Sequence, residues 1–167
     1  MKISRLALAA FGFAVIVIVL DQLTKAWIIG ADLREIGRIY VLPPVLNLSW
    51  VENYGASFGL FGGGSARWLL TVFAVVISGL LAHWALKADR RLLVTALGLV
   101  MGGALGNAID RIRFGYVVDF IDFSGTGLFP WVFNVADSAI TVGVVLLVLD
   151  IVLSDRKAAV GAAAEKS

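Results

Sequence analysis

The chain has 167 residues, 60% of them hydrophobic and 16% charged, with a mean hydropathy of +0.93. A soluble domain carries about 45–50% apolar and about 25% charged residues, so the composition excludes an ordinary water-facing globule and indicates one small integral membrane domain. A net charge of +2 is too mild to argue for nucleic acid, and the absence of cysteine removes disulfides, thiolate metal sites and thiol nucleophiles together.

A bilayer core asks for about twenty consecutive apolar residues in a helix, because lipid offers no partner for open backbone groups. The opening "MKISRLALAAFGFAVIVIVL" has the basic start of a signal peptide, but its apolar run is long for one. No small-x-small cleavage site follows before "DQLTK" either. It reads as a retained span, Leu6 to Ile29. Asp21 and Lys25 close that span at i,i+4 on one helical face, the spacing of an ion pair that could simply hold the span against its neighbours.

The first loop, residues 30–67, begins with "ADLREIGR", a short interfacial helix. Pro43-Pro44 then precedes Leu46, Leu48 and Trp50 alternating with Asn47, Ser49 and Val51, the period of a half-buried strand. "ENYGASFG" follows with Asn53 and Gly55, and the loop closes through Phe61 and "GGGS". Its glycine-rich part near Phe58 and Phe61 is placed to fold over a site. Span two, Trp68 to Leu86, carries the lone His83 near its far end, where an interfacial hydrogen-bonding role suits it.

Span three, Leu92 to Ile109, contains Gly98, Gly102 and Gly106 at GxxxG spacing, plus Gly103. Small residues so spaced let helices approach closely, which would bring Asn107 and Arg111 against the start of span four. Arg111 is expected on Asp110, on another nearby carboxylate or on a lipid headgroup. In the second loop, 110–134, "GYVVDFIDF" alternates as a short strand. Asp119 has apolar neighbours on both sides, and desolvation there should raise its pKa; Asp122, on the opposite strand face, is a weaker candidate. Span four runs from Val135 to Leu153 with Asp150 near the interface, and residues 158–167 read as a flexible tail after a single domain, 1–157. A small sheet over a four-helix membrane bundle is the expected fold, all-α in class. No internal repeat or inverted symmetry is visible, which weighs against a transporter.

Basic residues set the orientation. Lys2 and Arg5 precede span one, Lys87, Arg90 and Arg91 crowd the tight link between spans two and three, and Arg156 and Lys157 follow span four. The two long loops carry only Arg34, Arg38, Arg67, Arg111 and Arg113. Both termini are therefore expected inside, with the long loops outside. The polar residues Asp21, Lys25, Asn53, Asn107, Asp110, Arg111, Asp119, Asn134 and Asp137 then all gather at the outer side.

Asp137 has a sufficient structural explanation. Asn134 is a good N-cap residue three positions earlier, an approximate capping box, and a negative charge in the first turn suits the helix dipole. Asp119, brought to the same face, is not explained by a cap. Without an outer histidine or any metal-ligand spacing, the acid–base pair on that face is these two aspartates. Close carboxylates share one proton, one acting as base on a water and the other as acid, with no cofactor. Spacing alone supports a possible dyad; a proton-coupled carrier relaying through Asp21, Lys25, Asp119 and Asp137, or a structural scaffold, stays open.

"DQLTK", "ENYGASFG", "GGALGNAIDRIRFGYVVDFIDF" and "FNVADSAI", in this order across four spans, resemble the lipoprotein signal peptidase family, signal peptidase II. The resemblance covers nearly the whole chain. It implies a bacterial inner-membrane aspartyl endopeptidase that removes the signal peptide of prolipoproteins, cutting before the diacylglyceryl-modified cysteine on the periplasmic side. By motif, Asp119 and Asp137 are its catalytic aspartates, and Asp21, Lys25, Asn53, Gly55, Asn107, Arg111 and Asn134 its supporting or substrate-binding residues. Asn53, Asn107 and Arg111 would hold the substrate backbone or the lipid-bearing cysteine. Globomycin-type inhibitors and membrane lipid are the other implied partners. Ser57, where alanine is common in the family, and Tyr54, where smaller residues are frequent, bear on substrate preference.

Overall fold

The computed structural model describes residues 4–55, 65–127 and 129–164. Ser57, Phe58, Phe61 and the glycines at 62–64, in the loop expected to cover a site, lie outside these residues.

The first helix, α1 (Arg5–Gly30), starts at Ser4, whose hydroxyl accepts the Ala7 N–H at 3.0 Å. One stripe of it is buried: Ala7, Ala10, Ala14, Val17, Asp21, Lys25 and Ile28, spaced three or four apart as a helical face must be. A short turn leads to α2 (Leu33–Ile36), then to strands β1 (Arg38–Leu42) and β2 (Leu46–Asn53). Helices α3 (Ser65–Lys87) and α4 (Arg91–Arg113) follow, then β3 (Val117–Asp122), a 3-10 turn at Ser124–Thr126, β4 (Val132–Phe133) and α5 (Val135–Ala164). Helix α5 thus continues to Ala164, across residues for which the sequence suggests a flexible tail.

Among the described residues, α1, α3, α4 and α5 are long and apolar enough to cross a membrane. Helix α4 is the central one: 61% of its apolar window is buried, against 28%, 22% and 17% for α1, α3 and α5. Its glycines explain why. A Cβ on Gly102 would lie 2.7 Å from the Ala14 carbonyl oxygen of α1, and one on Gly103 would collide with the Ala136 carbonyl of α5. Only a bare Cα on that face lets both neighbours reach contact distance.

The strands form one antiparallel sheet in the order β1-β2-β3-β4. It is fixed to one end of the bundle by Ile28, Leu33 and Phe120, with Leu48, Trp50 and Val135 packed on them. The expected alternation in β2 is present, yet the polar side is the more deeply buried: Asn47 and Ser49 are 2% and 7% exposed. A charged cluster encloses Ser49. Asp122 accepts from the Ser49 hydroxyl and from the Ser124 N–H at 2.8 Å, and pairs with Arg38 at 2.8 Å. Burial would raise the Asp122 carboxyl, but hydrogen bonds from Ser124 and Ser49, with Arg38, hold it below the usual range.

At the opposite end of the bundle Asp150 is 3% exposed. Arg90, from the tight α3–α4 link, pairs with it at 3.0 Å and ties that link to α5.

Candidate active site

Strand β3 carries Asp119, which is 2% exposed, and the first turn of α5 carries Asp137. Three asparagines connect these carboxylates to the fold, and a second partner orients each amide. Asn53, at the end of β2, accepts the Gly55 N–H on Oδ1 at 2.8 Å, so its Nδ2 faces Asp119 Oδ2 at 3.0 Å. Gly55 supplies the left-handed backbone of that turn, at φ +71.

Asn134 accepts the Asp137 N–H on Oδ1 at 2.9 Å, and its Nδ2 donates to Asp119 Oδ1 at 2.6 Å. The Asn134 N–H in turn donates to Asp137 Oδ2 at 3.3 Å, which completes the capping box expected from the sequence. Asn107 of α4 accepts Lys25 Nζ at 3.1 Å and Asn134 Nδ2 at 3.2 Å on one oxygen. Its own Nδ2 is thereby turned to Asp137 Oδ1, at 2.7 Å. Glycine spacing in α4 predicts this approach of Asn107 to the start of α5.

Two opposing effects act on Asp119. Burial and the charge of Asp137 push its carboxyl up to about 7, while the amides of Asn53 and Asn134 and the Lys25 charge act downward. A carboxylic acid that still carries its proton near neutral pH beside a second carboxylate is what shared acid–base work requires.

Below the pair lies Lys25, 1% exposed. The expected pair with Asp21 forms at 2.8 Å, and Asp110 makes a second at 2.8 Å that spacing within one helix could not reveal. With Asn107 as third acceptor, all three ammonium donors are used. That completeness is the condition under which a charge is tolerated in such surroundings. Gln22, not singled out from the sequence, donates to Asp110 Oδ1 at 2.9 Å. The hint was there in outline: two acids and one base lie at the ends of spans one and three.

Arg111 lies near enough to Asp137, Asp119 and Asp110 to interact with the charge of each. Asp110 is engaged by Lys25, and the Arg111 hydrogen bond is a long one, Nη1 to the Asn107 carbonyl at 3.5 Å, with Nε lacking any partner among the described residues. Asn53 and Asn107, expected to hold substrate, are here directed at the two aspartates. Asp137 is partly exposed and borders two apolar cavities. One, of 340 Å³, lies among α3, α4 and α5 and includes Arg111; the other, of 350 Å³, lies between α5 and the aromatic residues Phe129, Trp131 and Phe133.

A family model described as Signal peptidase (SPase) II matches residues 13–153. A lipoprotein signal peptidase of Caulobacter vibrioides is 48% identical over 158 residues, covering 93% of this chain and 94% of its own. One from Shewanella loihica is 50% identical over 149 residues, covering 86% of this chain and 85% of its own. A solved bacterial membrane enzyme, determined in meso at 1.9 Å resolution, superposes with a TM-score of 0.74 at 35% identity, covering 86% of this chain and 92% of that one. With sequence, helical bundle and sheet all in agreement over most of its length, this bacterial membrane protein belongs to the signal peptidase II family.

Proposed function

We propose that the protein is an aspartic endopeptidase that removes the signal peptide of prolipoproteins, cleaving before the diacylglyceryl-modified cysteine, with Asp119 and Asp137 as its dyad. The observation that carries this reading is the Asn134 amide. It bonds Asp119 and the Asp137 backbone at once, and it holds together two carboxylates of which one stays protonated to about pH 7.

Ionised Asp137 takes a proton from a water whose oxygen attacks the scissile carbonyl carbon, while Asp119 gives its proton to the carbonyl oxygen. The gem-diol collapses as the C–N bond breaks, one hydroxyl proton returns to the dyad, and the leaving nitrogen takes the proton that Asp137 carried. One proton is again shared at the end of the cycle.

The surroundings suit this substrate. A signal peptide is a membrane helix, and a diacylglyceryl group holds its cysteine at bilayer depth at about 0.8 kcal/mol per buried CH₂. The apolar cavities on either side of Asp137 offer such groups a place beside the dyad. Basic residues at the termini and the tight link support a site at the periplasmic face of the inner membrane, where globomycin-type cyclic peptides would compete.

Asp119→Asn and Asp137→Asn decide the matter, each purified and given a lipidated lipobox peptide. Both should fold and lose cleavage by at least about 1,000-fold, as for groups that act as a unit. Substantial cleavage by either variant excludes the dyad.

A further inference from the structure

Each oxygen-bearing partner of Lys25 also reaches toward the dyad. Asp21 accepts Lys25 Nζ on Oδ2 and the Ala136 N–H on Oδ1, the latter at 3.0 Å. Asp110 accepts Lys25 Nζ at 2.8 Å and the Val118 N–H at 3.1 Å, both on Oδ2. Ala136 is the residue before Asp137, and Val118 the residue before Asp119. The third donor of Lys25 goes to Asn107, whose amide holds the Asp137 side chain. One ammonium thus joins two carboxylates, each gripping the backbone one residue ahead of an aspartate of the dyad, one on β3 and one on α5.

We infer that Asp21, Lys25 and Asp110 form a charge clamp that sets the separation and aim of Asp119 and Asp137, with Lys25 as a positioning residue for the reaction. The inference rests on the dyad reading above. Its physical content is distance. Strand β3 is tied to the start of helix α5 by its pairing with β4 and by Asn134. A further link between them, at the residues just before each aspartate, runs through Lys25. Helix packing alone allows displacements of an ångström, whereas three charge-assisted hydrogen bonds with all partners buried define one geometry. Gly106 leaves the room: a Cβ there would sit 2.8 Å from Asp21 Oδ2.

The test uses the purified full-length enzyme with a lipidated lipobox peptide, kcat and KM being measured separately. Lys25→Met should lower kcat about 100-fold while KM changes less than about threefold, because misplaced reacting groups slow chemistry more than binding. That variant leaves two buried carboxylates unpaired and risks unfolding. A second therefore combines Asp21→Asn, Lys25→Met and Asp110→Asn, a neutral triad of similar volume, of the kind that buried ionic triads often tolerate. Its amide oxygens still accept the Ala136 and Val118 N–H groups but no longer hold one another. It should keep wild-type helical circular dichroism and elution, and still show the lowered kcat.

Asp150→Asn, which breaks the ion pair of a buried carboxylate with the partly exposed Arg90 at the far end of the bundle, should lower thermal stability and leave kcat and KM unchanged. Wild-type kcat in the folded neutral triad overturns the clamp. So does a loss of kcat in Asp150→Asn equal to that in Lys25→Met, and so does failure of both triad variants to fold. Cleavage by Asp119→Asn removes the dyad reading itself; inactive Asp119→Asn and Asp137→Asn beside a fully active neutral triad remove the clamp alone.

Discussion

Asn53 touches Asp119 through a single hydrogen bond, which makes it the cleanest handle on the acid of the proposed dyad. An N–H donated to a carboxylate stabilises the ionised form, so the bond lowers a carboxyl that burial and Asp137 have raised to about 7. Asp119 must be protonated to serve as acid, so the rate should fall as pH rises through about 7. In Asn53→Ala the lowering bond is gone and Asp119 keeps its proton to higher pH. The alkaline limb of the kcat profile should therefore move upward, by up to about one pH unit for one lost hydrogen bond. A limb that stays in place or moves down contradicts the assignment of Asp119 as the acid. At this scale the sequence was informative wherever contact is local: the Asn134–Asp137 capping box and the Asp21–Lys25 spacing both follow from helix geometry. It was silent on Asp110 as a partner of Lys25, because that contact joins two helices distant in the chain.

At the scale of elements, α4 organises the rest by what it lacks. Gly102 meets the Ala14 carbonyl where a Cβ would come to 2.7 Å, and backbone cannot yield as a side-chain end can. Gly102→Ala should force α1 and α4 apart and lower the unfolding free energy by about 1–3 kcal/mol, an overpacking cost. Gly12, on α1, has nothing within 4 Å of an added Cβ. Gly12→Ala should stay within about 0.5 kcal/mol of wild type or gain slightly, since alanine is the better helix former. Thermal unfolding of both variants in one detergent makes the comparison, and equal losses would refute the close-packing account. The glycine spacing was readable beforehand, since a period of four is a surface feature of one helix. Which side of β2 would be buried was not, because Ser49 is covered through Arg38 and Asp122 from two other strands.

For the whole molecule the open question of placement is orientation across the bilayer. The chain lacks cysteine, so single cysteines can report it without background. Val45 before β2 is 46% exposed, and the Asp89 side chain, in the α3–α4 link, is 88% exposed. In intact inverted and right-side-out vesicles, an impermeant thiol reagent should label Val45→Cys only from the periplasmic side and Asp89→Cys only from the cytoplasmic side. The reverse pattern would contradict the placement of the dyad at the outer face.

Composition and hydropathy by themselves determined a four-span membrane protein, because the length of an apolar run is set by bilayer thickness and needs no tertiary information. Motif order along the chain was enough for the family resemblance, and local spacing for the helix cap at Asp137. Tertiary structure alone decided how Asp119 and Asp137 are joined, since the link runs through Asn134 and Asn107 and depends on which way each amide is turned. It also decided that Lys25 serves two carboxylates at once. The Lys25 contacts with Asp110 and Asn107 join helices far apart in the chain, and a buried charge finds its partners only where packing brings them.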